Sequence, residues 1–200
     1  MEELKLNEFK NFLIAPLEES RISNELIKFC DEEMGQDYYN YESLLAAQRK
    51  SLKGGLISSF IAYTKSGEVV GVRLSYSPGT WIQEMEKKRK GALTFSKWKV
   101  ELDSVAYFQS LYVGKEFQQW GLGSHLSLMS IEVLKKQGAK AIVCHSWLPS
   151  PGNASQRYLT KLGFRPVKEH LNFWKGVDYS CPACGDGPCV CPALEMIYYL

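Results

Sequence analysis

A mixed α/β fold is predicted for this chain on three observations. Two apolar runs rich in β-branched and aromatic residues, DSVAYFQSLYV at 103–113 and AIVCHSW at 141–147, read as buried strands. Between them Leu122, Leu126, Met129, Val133 and Leu134 fall at helical spacing, and Gly138 ends the helix. Strand, helix and strand of this length form a crossover with parallel strands. Near the end of the sequence, Leu194, Met196, Tyr198 and Leu200 alternate with Glu195, Ile197 and Tyr199, as in a late strand.

The other elements follow in order. Ser23 to Met34 reads as a helix with Leu26, Ile27, Phe29, Cys30 and Met34 on one stripe, and a second helix over Glu42 to Lys53 stops at Gly54-Gly55. Residues 57–64 and 68–76, joined through Lys65-Ser66-Gly67, form a β-hairpin. Residues 81–98 are irregular or helical and carry KKRK at 87–90, read as a solvated face, with a lid over a ligand as the other reading. A helix covers 154–162, and strands cover 168–175 and 193–200, with a cysteine-rich segment in the loop between them.

With 200 residues at 45% hydrophobic, the expectation is one domain spanning residues 1–200. A formal charge of +2 does not argue for nucleic acid or a membrane surface, and no run of eighteen apolar residues exists. The start, MEELKLNEFK, lacks the apolar core of a signal peptide, so a cytoplasmic setting with reduced thiols is expected. Charge is uneven: from 133 to 168 there are seven basic residues and no acidic one. The rest of the chain holds 17 basic against 22 acidic residues, a net −5. This segment reads either as an anion-binding surface or as solvated side chains.

The turn VGKEFQQWGLGSHL joins the first buried strand to its helix. Gly121 and Gly123 let the backbone approach a ligand, and the helix start offers free N–H groups and a positive dipole end, which suits a phosphate. A plain tight turn is the alternative. A P-loop needs a Lys after the glycines, and none follows. A dinucleotide site needs a third glycine, where this chain has Leu126, and an acidic residue after the second strand, which the acid-free segment excludes.

The spacing Gln118-x-x-Gly121-x-Gly123, followed by NASQRYLTKLGF at 153–164, resembles the two signatures of the GNAT superfamily of N-acetyltransferases. The resemblance implies a largely antiparallel twisted sheet, helices on both faces and two splayed parallel central strands. It also implies acetyl-CoA as cosubstrate. Its pantetheine would lie along Leu111 and Val113, and its phosphates at Gln118, Gln119, Trp120, Gly121, Leu122, Gly123 and Ser124. Asn153 and Lys161 of the second signature join the cofactor set.

Acetyl transfer needs a neutral amine, so a base must take the proton of an ammonium whose pKa is about 10. KFCDEEMG at 28–35 resembles a segment of invertebrate arylalkylamine N-acetyltransferases, which puts the base on Glu32. The branch's proline and leucine are here Glu33 and Met34. CHSW after the second strand and Asp178-Tyr179 extend that resemblance. It implies a role for Ser155, and its other serine falls on Pro151, beside Ser150. The tyrosine that many superfamily members use as an acid corresponds to Leu159; Tyr158, one residue away, is turned by about 100° on an ideal helix. His145, at the end of the second strand, is a second candidate base or a hydrogen-bonded structural residue. The acceptor implied is a small primary amine, such as an arylalkylamine. A protein N-terminus, a lysine, a polyamine, or a binding module without turnover are the alternatives.

CPACGDGPCVC at 181–191 gathers Cys181, Cys184, Cys189 and Cys191. Four thiolates make a closed tetrahedral shell, so a structural Zn2+ is expected there, with disulfides or free thiols as alternatives. Acetyl transfer needs no metal, which leaves the cluster as a clip on a loop beside the acceptor.

Overall fold

The computed structural model describes residues 7–177, 179–185 and 187–200. Asp178, part of the arylalkylamine resemblance, and the first six residues of the amino-terminal reading lie outside them. The chain opens with two short strands that the sequence reading does not contain, β1 (Asn7–Phe9) and β2 (Phe12–Pro16). Ser23 then caps α1 (Asn24–Met34) by accepting from the Leu26 amide, and Asn40 forms a capping box at α2 (Tyr41–Ser51). The expected helix to Lys53 is corrected here. Leu52–Lys53 (β3) and Leu56–Ile57 (β4) pair instead, with Gly54-Gly55 as their turn.

The hairpin is β5 (Phe60–Thr64) and β6 (Val69–Tyr76), and α3 (Ile82–Lys88) follows. Then come β7 (Val105–Val113), α4 (Leu122–Lys136), β8 (Ala141–Trp147) and α5 (Ala154–Lys161). The last strands are β9 (Arg165–His170) and β10 (Ala193–Tyr199). The strand expected at 168–175 thus begins earlier, because α5 ends in the turn at Gly163 and extended chain follows at once; residues 171–176 are turn.

Eight strands form one sheet in the order β1-β2-β5-β6-β7-β8-β10-β9, antiparallel except for β7 against β8. Leu26, Phe29, Leu44 and Leu45 pack α1 and α2 on one face, against Val72, Leu74 and Val105. On the other face α4 and α5 cover Phe108, Ile142 and Val70 through Leu122, Leu126, Leu134 and Leu159. Among the described residues no helix is long and apolar enough to cross a membrane.

The parallel pairing runs only from Val105↔Ala141 to Phe108↔Cys144. Beyond it β7 stays with β6, and His145–Trp147 of β8 stay with β10. The break coincides with a bulge: Leu74 pairs with Ser110 and Ser75 with Phe108, leaving Gln109 as the extra residue. A bulge bends the strand that carries it. The central sheet therefore opens at Gln109.

Candidate functional site

A cleft of about 880 Å³ fills this opening. One wall is the start of α4. Gly121 sits at φ +85°, a left-handed conformation that a side chain would strain, and Gln119 precedes it at φ +66°. Gly123 serves packing: an added Cβ would meet Leu111 Cδ2 at 3.2 Å, so its absence lets α4 rest on β7. The result is a run of backbone amides, Gln119 to Ser124, with no protein acceptor among the described residues. That is a positive, donor-rich surface open to the cleft.

The residues expected to hold the cofactor divide into those that reach the cleft and those that do not. Leu111, Val113, Gln118, Gln119, Gly121, Leu122, Gly123, Ser124 and Lys161 line it. Gln118 closes the turn onto the strand through Nε2–H donating to the Val113 carbonyl at 3.1 Å. The Trp120 side chain is a correction: it turns outward, 45% exposed and edge-on to Phe12, so only its backbone amide belongs to the donor run. Asn153 lies outside the cleft lining; it is exposed, and its side-chain amide donates to Gln156 Oε1. Of the basic segment, Arg157 and Lys161 reach the cleft, whereas Lys135 pairs with Glu132. Arg89, within KKRK, also lines it and stacks on Phe173, so one residue of that run faces the site.

The expected catalytic groups fare differently. Glu32 points away: its side chain is 62% exposed, 3.8 Å from Lys28, and outside the cleft. The next residue, Glu33, lines the cleft, because one step along a helix turns a side chain by about 100°. Burial, with a smaller push from Glu32, outweighs Lys115 and holds the Glu33 carboxyl above its usual range. His145 is corrected as a base. Its Nε2–H donates to the Ala92 carbonyl and its Nδ1 accepts from the Tyr107 hydroxyl, both at 2.9 Å. Burial draws its pKa down to about 3, so it is a neutral group with both nitrogens engaged. Its ring stacks on Phe173 at 4.1 Å and so fixes Phe173 and Tyr107 at the cleft.

Ser155 lines the cleft and accepts from Ser146 at 3.0 Å, while its amide donates to Ser150 Oγ. Tyr158 reaches the cleft from a regular helix, and its hydroxyl bonds to Ser127 Oγ and the Gly123 carbonyl. Leu159, at the position of the superfamily tyrosine, is 6% exposed and packs into the core.

The opposite wall is aromatic. Tyr38, Tyr107, Phe173, Trp174 and Tyr179 line it, with Tyr38 against Tyr179 at 4.8 Å. Arg73 and Tyr107 carry no signal of this in the sequence, whereas Glu33 and Tyr38 belong to the acidic run 31–33 and the aromatic run YYNY at 38–41, which together could receive an aromatic amine, and Arg89 to KKRK.

Behind this wall the four loop cysteines converge. Their Sγ atoms all lie within 4.8 Å of one another, with close pairs at 3.5 to 3.8 Å. A tetrahedral site with metal–sulfur bonds of about 2.3 Å requires sulfurs about 3.8 Å apart, whereas a disulfide needs about 2.05 Å. All four are free thiols in the structure, packed against Phe173 and Trp174, and Tyr179 donates to Cys189 Sγ. The donor set and spacing fit a tetrahedral thiolate centre. A second group, His145, His170 and Glu195, is consumed by hydrogen bonds: Glu195 accepts from Trp98, Thr94 and His170.

Comparison with known proteins agrees with this architecture. No curated protein sequence matches the chain. Among solved structures, Ard1 from Thermoplasma volcanium superimposes with a TM-score of 0.64 at 14% identity, over 95% of this chain and 98% of that one. The ribosomal-protein-S18-alanine N-acetyltransferase from Escherichia coli gives 0.61 at 15%, over 94% and 93%. Arylalkylamine N-acetyltransferase 2 from Aedes aegypti gives 0.62 at 16%, over 95% and 99%. At such identities these likenesses show the fold. The model of the acetyltransferase (GNAT) family matches residues 24–164, from the start of α1 through α5 and including both the open strands and the glycine turn. With that match over most of its length, the chain belongs to the GNAT acetyltransferase family.

Proposed function

We propose that this protein transfers the acetyl group of acetyl-CoA to a small primary amine of aromatic character, by direct attack in a ternary complex. The observation that carries the reading is the two-sided cleft. Unpaired amides at a helix start face it from one side, and a part-buried carboxylate among aromatic rings faces it from the other. Acetyl-CoA, when bound, supplies the activated acyl group. The amides of Gln119–Ser124 would receive its pyrophosphate, with Arg157 and Lys161 adding positive charge. The amine would enter between Tyr38, Phe173 and Tyr179, where rings favour a flat, cationic group.

Glu33, rather than Glu32, would take the ammonium proton, directly or through water. A carboxyl raised by burial is better matched to that task than an exposed one. Ser155 and Tyr158 remain at the donor side of the opening, hydrogen-bonded to Ser146 and Ser127. CoA release should be measured with acetyl-CoA and tryptamine, dopamine, or peptides bearing a free N-terminus. Release with the aromatic amines supports the reading. Release with peptides alone would overturn the acceptor class, and acetyl-CoA binding without turnover on any amine would overturn transfer.

We also infer that Cys181, Cys184, Cys189 and Cys191 hold a structural Zn2+. The support is the sulfur spacing and a closed set of four thiolates with no position left for substrate. The ion would brace Phe173, Trp174 and Tyr179 without taking part in the chemistry. Mass spectrometry of untagged protein should find one zinc per chain; free thiols with less than stoichiometric metal would contradict it.

A further inference from the structure

Arg73, on β6, is a buried cation that lines the cleft. It is 3% exposed, its guanidinium carbon lies 3.4 Å from the Phe108 ring centroid, and its Nε and Nη2 have no hydrogen-bond partner among the described residues. Phe108 is the last residue of β7 paired to β8, so the guanidinium sits where the strands part. It lies on the side of the sheet that carries α4 and α5.

The titratable groups near it are Tyr158 from α5 and Cys144 from β8 on its own side of the sheet, with Tyr112 of β7 on the opposite face, all held neutral by burial. Among the described residues no carboxylate lies within ion-pair distance of Arg73. Burial lowers its own pKa only to about 10, which leaves it charged at neutral pH. A cation withdrawn from water without an anionic partner is costly to the fold, even with the Phe108 ring against it, and a ligand that brings an anion removes much of the cost.

Acetyl transfer generates such an anion. The amine nitrogen forms a bond to the carbonyl carbon, the C–S bond breaks, and its electron pair leaves on the sulfur of CoA; the ammonium proton goes to the base on the acceptor side. We propose that Arg73 is a catalytic residue that stabilises the departing CoA thiolate by charge. The proposal rests on the acetyl-CoA reading above. Tyr158 does not take this role, because its hydroxyl is directed at Ser127 and the Gly123 carbonyl. The sulfur therefore leaves as a thiolate beside a guanidinium, with no proton transfer needed.

The test needs no acceptor amine. Affinities of CoA and acetyl-CoA are measured by calorimetry from about pH 6.5 to about 9.5, across the usual thiol pKa of about 8.5. Acetyl-CoA has no thiol to ionise, so effects shared by the two ligands cancel in their ratio. A cation beside the sulfur lowers its pKa by roughly 1–3 units, so the wild-type ratio of CoA to acetyl-CoA affinity should rise roughly tenfold or more with pH and then level off. Ultraviolet thiolate absorbance of the complex should appear at correspondingly lower pH than for free CoA.

Arg73→Met should flatten the ratio while keeping acetyl-CoA affinity within about threefold, which also attests its fold; Arg73→Lys should keep part of the rise. If the Met variant does not fold, the wild-type ratio and absorbance decide alone. Bound CoA titrating like free CoA overturns the proposal. So does an equal loss of both ligands in Arg73→Met, or succinyl-CoA binding more than tenfold tighter than acetyl-CoA, which would make an acyl carboxylate the partner. Wild-type protein that binds neither CoA nor acetyl-CoA would instead overturn the donor reading itself.

Discussion

The two walls of the cleft are built in different ways. The donor wall is one continuous piece of chain, from β7 through the turn to the first residues of α4. Its geometry is local: a left-handed Gly121, a Gly123 pressed on Leu111, and a run of amides left open by the helix start. The acceptor wall is assembled from Glu33 and Tyr38, Arg89, Phe173 and Trp174, and Tyr179 with Pro182. It holds together through long-range contacts: Tyr38 on Tyr179, Arg89 and His145 on Phe173, and the cysteine cluster behind them. A wall of one segment suits a cosubstrate of fixed shape, while a wall of many segments lets acceptor choice vary on a common frame.

If the walls are separable, changes to each should move different constants. The largest effect is expected from Glu33→Gln. The rate constant kcat should fall roughly 10²- to 10⁴-fold with acetyl-CoA affinity intact, whereas Glu32→Gln should stay near wild type. Transfer needs the carboxylate ionised, so activity should fall as pH drops through the raised Glu33 pKa. The acidic limb of kcat/KM should therefore lie above the ordinary Glu value of about 4.3. An unchanged profile in Glu33→Gln would remove it as the base.

Gly121→Val should come next. A β-branched residue at φ +85° costs about 1–3 kcal/mol, a loss of roughly 5- to 150-fold in acetyl-CoA affinity, with the amine KM little changed. Loss of both constants together would mean that the walls are coupled. Cys181→Ser should act on the other side. Metal content should fall and the acceptor KM should rise about tenfold, with acetyl-CoA affinity within about twofold. The smallest effect is expected from Tyr179→Leu. Loss of its ring contact with Tyr38, worth about 0.5–1.5 kcal/mol, should raise the amine KM by roughly 2- to 12-fold.

The same contrast explains what the sequence made legible. The parallel strands, the helix between them and the glycine turn each lie within about 45 consecutive residues and carry strong periodicity, so their boundaries agree with the structure to within two residues. The amino-terminal strands escaped because NEF and FLIAP are too short to show a period. Glu32 and Glu33 are indistinguishable in a DEE run; only the rotation of α1 against the sheet decides which one enters the cleft. Arg73 gave no signal, because every residue of β6 is buried and its register against Phe108 depends on the bulge at Gln109. His145 was legible as a residue of interest. Its engagement by Tyr107 and the Ala92 carbonyl comes from segments 38 and 53 positions away.

The claim on which the rest depends is that acetyl-CoA seats its phosphates on the amides of Gln119–Ser124. Titration of isotope-labelled protein with acetyl-CoA, followed through backbone amide resonances, tests it directly. Saturable binding is expected, with the largest shifts at Gln119, Gly121, Gly123 and Ser124. Saturable binding that leaves those amides unmoved, or no binding at all, would contradict it.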